Sequence, residues 1–436
     1  MLKKGIILII IILAVIFAVV LIFASVFKPT GQPETASTGT NFFSGLFPSG
    51  ERKTDGQIQE TPADISGYLP PSDNAKLGKE RLSKVSSMPI AGYGIFMKER
   101  YMGKAEEATE PPSPLGGSVA KSTEFVPALR YAERATGNVY QTFADKIEER
   151  KLTSTVIPQV YEASFGEDSI LMRYLKEDAK TIETFAGKLP KEILGGDAVG
   201  PTEMEGSFLP ENIIDLSLSP DKLLIFYLFK SGDNAVGITA SAKGDQKNQI
   251  FSSPFTEWLS QWPNARMITL NTKPSSNSPG YLYSIDPSTK RMTKILGGIN
   301  GLTSLTSPSG KSVLYTDSRL SLFAYDPSTK NSVSLGIRTL PEKCVWDKAS
   351  IYLYCAVPKN IKGTNYPDIW YRGEVSFSDE VLKINTENGN TTKLADPAEF
   401  QSGEEMDGIK LSLDQAENYL FFINKKDSFL WELNLK

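Results

Sequence analysis

Tyr283–Lys290 reads YSIDPSTK, and Phe323–Lys330 reads FAYDPSTK. Their Asp-Pro steps begin at Asp286 and Asp326, 40 residues apart. Asp at the first turn position accepts backbone N–H groups, and Pro at the second presets φ, so each segment reads as a type I turn between strands. A second turn family precedes the most apolar runs. It reads LSLSPDKLLIFYL at Leu216–Leu228 and LTSPSGKSVLYT at Leu305–Thr316. Looser copies fall at Phe165–Leu175, Trp262–Leu270, Trp346–Tyr354 and Leu413–Phe422.

Between these turns the period is two. Ile90–Phe96, Leu223–Phe229, Val313–Tyr315, Ile351–Cys355 and Tyr419–Ile423 are rich in β-branched and aromatic residues and read as strands. Tyr140–Lys151 and Tyr174–Lys188 carry many charges and are ambiguous between helix and strand. A unit of about 40–50 residues with four short strands is a propeller blade. Counting turns predicts an all-β, seven-bladed β-propeller over residues 80–436, with six or eight blades as alternatives. The chain end leaves its last blade one strand short. Arg81–Ser87 (RLSKVSS) has the character of the missing strand, and closure by it would remove the exposed sheet edges.

The combined pattern, an LSxSPDGK-type turn followed by a DPxTK-type turn, resembles the TolB-type and WD-repeat-like propeller repeats. The resemblance is clearest in Ile213–Leu335 and covers the blade only. No WD dipeptide closes the repeats, and the extra domain of the TolB family is missing.

Ahead of the repeats, Met1–Lys28 reads MLKKGIILIIIILAVIFAVVLIFASVFK, in which Ser25 is the only polar side chain between Gly5 and Phe27. At 1.5 Å per residue such a run spans about 34 Å, enough for a bilayer core of about 30 Å. It reads as an N-terminal transmembrane helix, residues 1–28, and it exceeds the apolar region of a signal peptide. Lys3 and Lys4 precede it while Lys28 alone follows closely. The positive-inside bias therefore puts the N-terminus in the cytoplasm and the bulk outside. Residues 29–79 are nearly half Gly, Pro, Ser and Thr and read as a flexible, disordered linker.

The net charge of −4 argues against broad nucleic-acid binding. Histidine is absent, which removes Ser-His-Asp and Cys-His catalysis and His-ligated zinc. Leu194–Gly200 (LGGDAVG) lacks the lysine of a phosphate loop. No cofactor or metal site is expected, and the chain reads as a non-enzyme. The alternatives are a carbohydrate-active enzyme or a sensor relying on carboxylate or Tyr residues.

Trp258, Trp262, Tyr366, Trp370 and Tyr371 are placed by this reading in connections between strands, with Lys359–Ser378 as an insertion between the second and third strands of blade six. They are the candidate binding face, the competing role being packing between blades. Cys344 and Cys355, the ends of CVWDKASIYLYC, should face each other on adjacent antiparallel strands and are a disulfide candidate. The expected molecule is a single-pass protein of a prokaryotic cell membrane. It carries an extracytoplasmic propeller that binds or scaffolds another envelope protein, a surface polymer or an appendage.

Overall fold

Seven four-stranded antiparallel sheets follow one another along the chain. The computed structural model describes residues 81–101, 123–145, 147–190, 201–400 and 403–436. The expected anchor at 1–28, the linker at 29–79 and the 194–200 segment lie outside them. Among the described residues no helix is long and apolar enough to cross a membrane.

Blades one to six run Ile90–Lys151, Val160–Phe208, Ile213–Ser253, Trp258–Asn300, Thr303–Arg338 and Cys344–Ala395. Blade seven takes three strands from Gly408–Asn434 and its outermost from Leu82–Lys84. That strand pairs Leu82 with Leu433 and Lys84 with Trp431, so the first and last described strands share one sheet. Both charged segments of ambiguous reading contribute strands: Val139–Phe143 and Arg150–Lys151, then Ser169–Leu175 and Ile182–Lys188.

The repeated turns explain the repeated sheets. In blade three the Lys222 N–H donates to the Ser219 carbonyl, and the Ser219 hydroxyl accepts from the Leu224 N–H at 2.9 Å. Ser307, Asp347 and Asp414 take the place of Ser219 in blades five to seven, each accepting from the start of the second strand. The fourth turn residue is left-handed in every case: Lys222, Gly310, Ser350 and Glu417 have φ of 60°, 71°, 61° and 56°. In the third-to-fourth turns, the Asp286 and Asp326 carboxylates accept the Ser288 and Ser328 N–H groups, both at 2.8 Å. These bonds pull both aspartates below the usual carboxylate range; for Asp286 they come mainly from the Thr289 and Ser288 backbone, for Asp326 mainly from Ser328.

Strand alternation places both turn families on one face of the ring. Second-to-third loops and blade-to-blade connections share the other. Core side chains fill the space between sheets. Phe226 and Leu228 of blade three pack on Ile268 and Leu270 of blade four, and Leu314 of blade five packs on Leu353 and Ile384 of blade six. Each buried side chain of this kind contributes about 1.5–3 kcal/mol.

Candidate functional site

The expected binding face is not a face. Trp258 and Trp262 lie within the first strand of blade four, Trp258–Asn264, and are 4% and 8% exposed. They pack between blades three and four, and Trp258 meets Phe251 and Tyr283 edge-on. Their strand follows the same inward alternation as its neighbours, which removes these rings from contact with a partner. Lys359–Ser378 does join the second and third strands of blade six, and it folds over a one-turn helix, Asp368–Tyr371. Tyr366 and Trp370 are 1% and 4% exposed there, packed with Phe377 against Leu320 and Leu340 of the neighbouring connections. Only Tyr371, at 40%, reaches solvent. The insertion buries its own aromatics because they find apolar partners on the ring.

Beneath it lies a buried ionic cluster. Lys343 donates to the Asp379 carboxylate at 2.7 Å, to Asp407 at 2.5 Å and to the Gly408 carbonyl at 3.0 Å, with no exposure of its own. Asp407 also accepts from Trp370 Nε1, Ser376 Oγ and the Phe377 N–H. Burial pushes Asp379 up to about 6, against the pull of Lys343. The insertion is therefore pinned to blades six and seven by one charge network. Asp368 ties it to blade four through the Ser276 N–H at 2.6 Å.

Cys344 and Cys355 are directly opposed, with Cα atoms 4.1 Å apart, and the structure joins their sulfurs.

A cavity lies elsewhere, in the channel on the turn face. Its volume is about 790 Å³, and the first strands of blades one, two, three and seven line it. Tyr93, Phe96 and Met97 come from blade one, Glu162 and Phe165 from blade two, Lys222 from the blade-three turn, and Lys410 and Gln415 from blade seven. A register shift interrupts each of these four strands near its start, at Ile90/Gly92, Val160/Glu162, Ile213/Asp215 and Ile409/Ser412. Bulges of this kind re-aim side chains.

Three of these strands carry a charge at the same place. Counting back four residues from the first turn residue gives Glu162, Asp215 and Lys410 in blades two, three and seven, and Lys343 in blade six. Ser260 and Thr303 occupy the position in blades four and five. Glu162 accepts from Arg173 at 2.6 Å and lies 3.7 Å from Lys410. Burial alone would raise Glu162, but Lys410 and Arg173 together bring it below the usual range. Burial wins at Asp215, pushed up to about 6 although the Ser260 N–H and hydroxyl donate to it. Lys222 donates to the Ile95 carbonyl at 2.5 Å and sits 4.3 Å from the Phe96 ring centre. Burial pushes its amine down to about 8.

None of these charges was among the sequence candidates. A signal existed in EASF at Glu162–Phe165, DLSL at Asp215–Leu218 and KLSL at Lys410–Leu413: a charge heading an otherwise apolar first strand.

No family model matches the chain, and among curated proteins no relative is found. Solved structures with a similar fold include an oligogalacturonate lyase in complex with manganese, at 10% identity, covering 71% of this chain and 85% of that one, with a TM-score of 0.45. Another is an oligogalacturonate lyase from Vibrio parahaemolyticus, at 8% identity, 80% and 99% coverage and a TM-score of 0.45. A third is TolB from Acinetobacter baumannii, at 11% identity, 59% and 59% coverage and a TM-score of 0.38. Likeness at this level is of fold alone. The chain is a seven-bladed β-propeller with TolB among its structural neighbours. The expectation of a non-enzyme is corrected: two of these structural neighbours are lyases.

Proposed function

We propose that this chain is a recognition module, tethered by its N-terminal apolar run and holding its propeller outside the cytoplasm. It binds a partner of the cell envelope at the channel mouth on the turn face. The observation that carries the reading is the cavity of about 790 Å³, because it gathers aromatic and charged side chains from four blades. Ligand sites have this composition: an apolar lining with a few polar groups that fix orientation. The tether reading rests on the uninterrupted run from Gly5 to Phe27 and on Lys3 and Lys4 before it.

A photo-crosslinking side chain at Gln415, on the mouth, tests the site in intact membranes. A discrete adduct at Gln415 and none at Thr391, on the outer strand of blade six, is the expected result. Equal adducts at both positions, or none at Gln415, would refute the mouth as the site. Protease added outside cells with a permeabilised outer layer should degrade the propeller; full protection would refute the orientation.

A second reading is favoured by one pair of residues. Glu162 and Asp215 occupy equivalent positions in adjacent blades, yet their environments drive their proton affinities in opposite directions. Separation of that kind suits an acid and a base acting on a saccharide. New reducing ends released from an oligosaccharide by the wild type, and not by Asp215→Asn, would establish it.

A further inference from the structure

We propose that the channel mouth is a carboxylate-binding site that takes an acidic residue of an extended peptide segment from a partner protein. The inference rests on the recognition reading above and names the chemistry of its ligand.

Lys222 supplies the first argument. An ammonium has three N–H donors. The structure gives it one acceptor, the Ile95 carbonyl, and one ring face, Phe96. Among the described residues no carboxylate lies within ion-pair distance of it. A partly buried cation without a counter-charge is costly unless a ligand supplies one. The depressed proton affinity of Lys222 reports the same cost. Arg130 of blade one adds to it, and Glu167 of the blade-two turn opposes it only weakly.

The second argument is the local charge balance. The cavity is lined by two cations, Lys222 and Lys410, and one carboxylate, Glu162. Arg173 bonds one oxygen of that carboxylate at 2.6 Å, and Lys410 meets the other at 3.7 Å, a loose contact. A carboxylate entering the cavity they both line would give Lys222 the counter-charge it lacks and add to the loose partner of Lys410.

A third feature favours a peptide over a saccharide. The first two strands of blade one continue past the ring as a two-stranded ribbon, pairing Lys98–Tyr101 with Thr123–Val126. The third strand of that blade stops opposite Ala128, at Phe143. The ribbon is braced by Arg100, which binds both Glu124 and Asp145. Met97, which lines the cavity, and Phe125, which lies on the ribbon, are both exposed. Main-chain edges and apolar side chains beside a cationic pocket suit an extended acidic peptide.

The test uses full-length protein in detergent micelles and fluorescence anisotropy of two labelled probes, an alternating Glu-Val octapeptide and its Gln-Val counterpart. The Glu probe should bind at least about tenfold more tightly. Lys222→Gln should abolish that preference, Lys410→Gln should reduce it, and Lys393→Gln on the outer strand of blade six should leave it unchanged. Thermal melts no lower than those of the wild type would separate a lost site from a lost fold. Equal binding of the two probes, or a preference that survives Lys222→Gln, would overturn the carboxylate inference while the recognition reading stands. Binding of a glucuronate oligosaccharide in place of both peptides would overturn the peptide assignment. Failure of every probe would overturn the inference, whereas the recognition reading falls only with the Gln415 crosslink.

Discussion

Lys343→Met should be among the most damaging single substitutions in this ring, and its effect should depend on pH. The side chain is fully buried and holds two carboxylates, Asp379 and Asp407, together with the Gly408 carbonyl. Breaking a buried ion pair from one side costs about 3–5 kcal/mol, because the partner's charge stays buried without compensation. Here the cost falls unequally. Asp407 keeps three donors from the insertion, namely Trp370 Nε1, Ser376 Oγ and the Phe377 N–H. Among the described residues Asp379 keeps only the Gly408 N–H, and its Oδ1 has no partner there. Asp379 is thus the group that must take up a proton. Burial already holds it near 6, above its ordinary 3.8, with Lys343 as the main opposing influence. A carboxyl whose proton affinity rises on folding contributes stability that is complete below 3.8 and is lost as pH climbs through its folded value. Without Lys343 that folded value moves higher still. The deficit should therefore be about 3–5 kcal/mol at pH 8 and should shrink toward pH 5. Urea unfolding followed by tryptophan fluorescence, at both pH values, measures it. The double variant Lys343→Met with Asp379→Asn should recover much of the loss at pH 8. A deficit under about 1 kcal/mol, or one equal at the two pH values, would refute the charge argument.

Lys222→Met should stabilise the ring by roughly 3 kcal/mol at pH 7, because burial holds the amine near 8 against its ordinary 10.5. The wild type should itself gain stability between pH 8 and 10.5, where only the unfolded chain keeps the proton, so the variant's advantage fades there; a destabilised Lys222→Met would mean the lysine is structural. Trp370→Ala should cost about 3–5 kcal/mol of unfolding free energy and Tyr371→Ala less than about 1, since the first ring is buried and the second exposed. Leu82→Asp should unseat the strand paired at Leu433 and leave an open edge, seen as higher oligomers by light scattering; an unchanged monomer would show that the closing strand is dispensable.

How far the sequence could be read follows from which interactions are local. Turn chemistry is local. Asp286, Asp326 and the Ser219, Ser307 and Asp414 positions hydrogen-bond within a few residues of themselves, so their spacing reveals the blades and even the strand supplied by residues 82–84. The opposition of Cys344 and Cys355 is local in the same sense. Burial of an aromatic in a connection is not. Tyr366 and Trp370 look idle in a list of residues, yet Leu320 and Leu340, supplied from other parts of the chain, cover them.

The channel was less legible still, because a repeat fold hides its functional positions inside its most regular element. Each first strand must present apolar residues to the neighbouring blades, and that requirement sets the pattern seen in sequence. One position at or just before the start of each of six first strands diverges instead, as Glu162, Asp215, Ser260, Thr303, Lys343 and Lys410, and Glu162 and Lys410 among them line the cavity. Divergence at a single register within otherwise similar blades is what a packing constraint cannot produce by itself. Lys343 shows that such a charge can be absorbed wholly by structure, with two carboxylates closing around it. Lys222, from a turn rather than a strand, has no carboxylate within ion-pair distance among the described residues, and Glu167 is the one carboxylate that acts on it. The contrast between the two lysines separates a charge that the fold has satisfied from one it leaves for a ligand. Unfolding free energy should accordingly fall in Lys343→Met and rise in Lys222→Met.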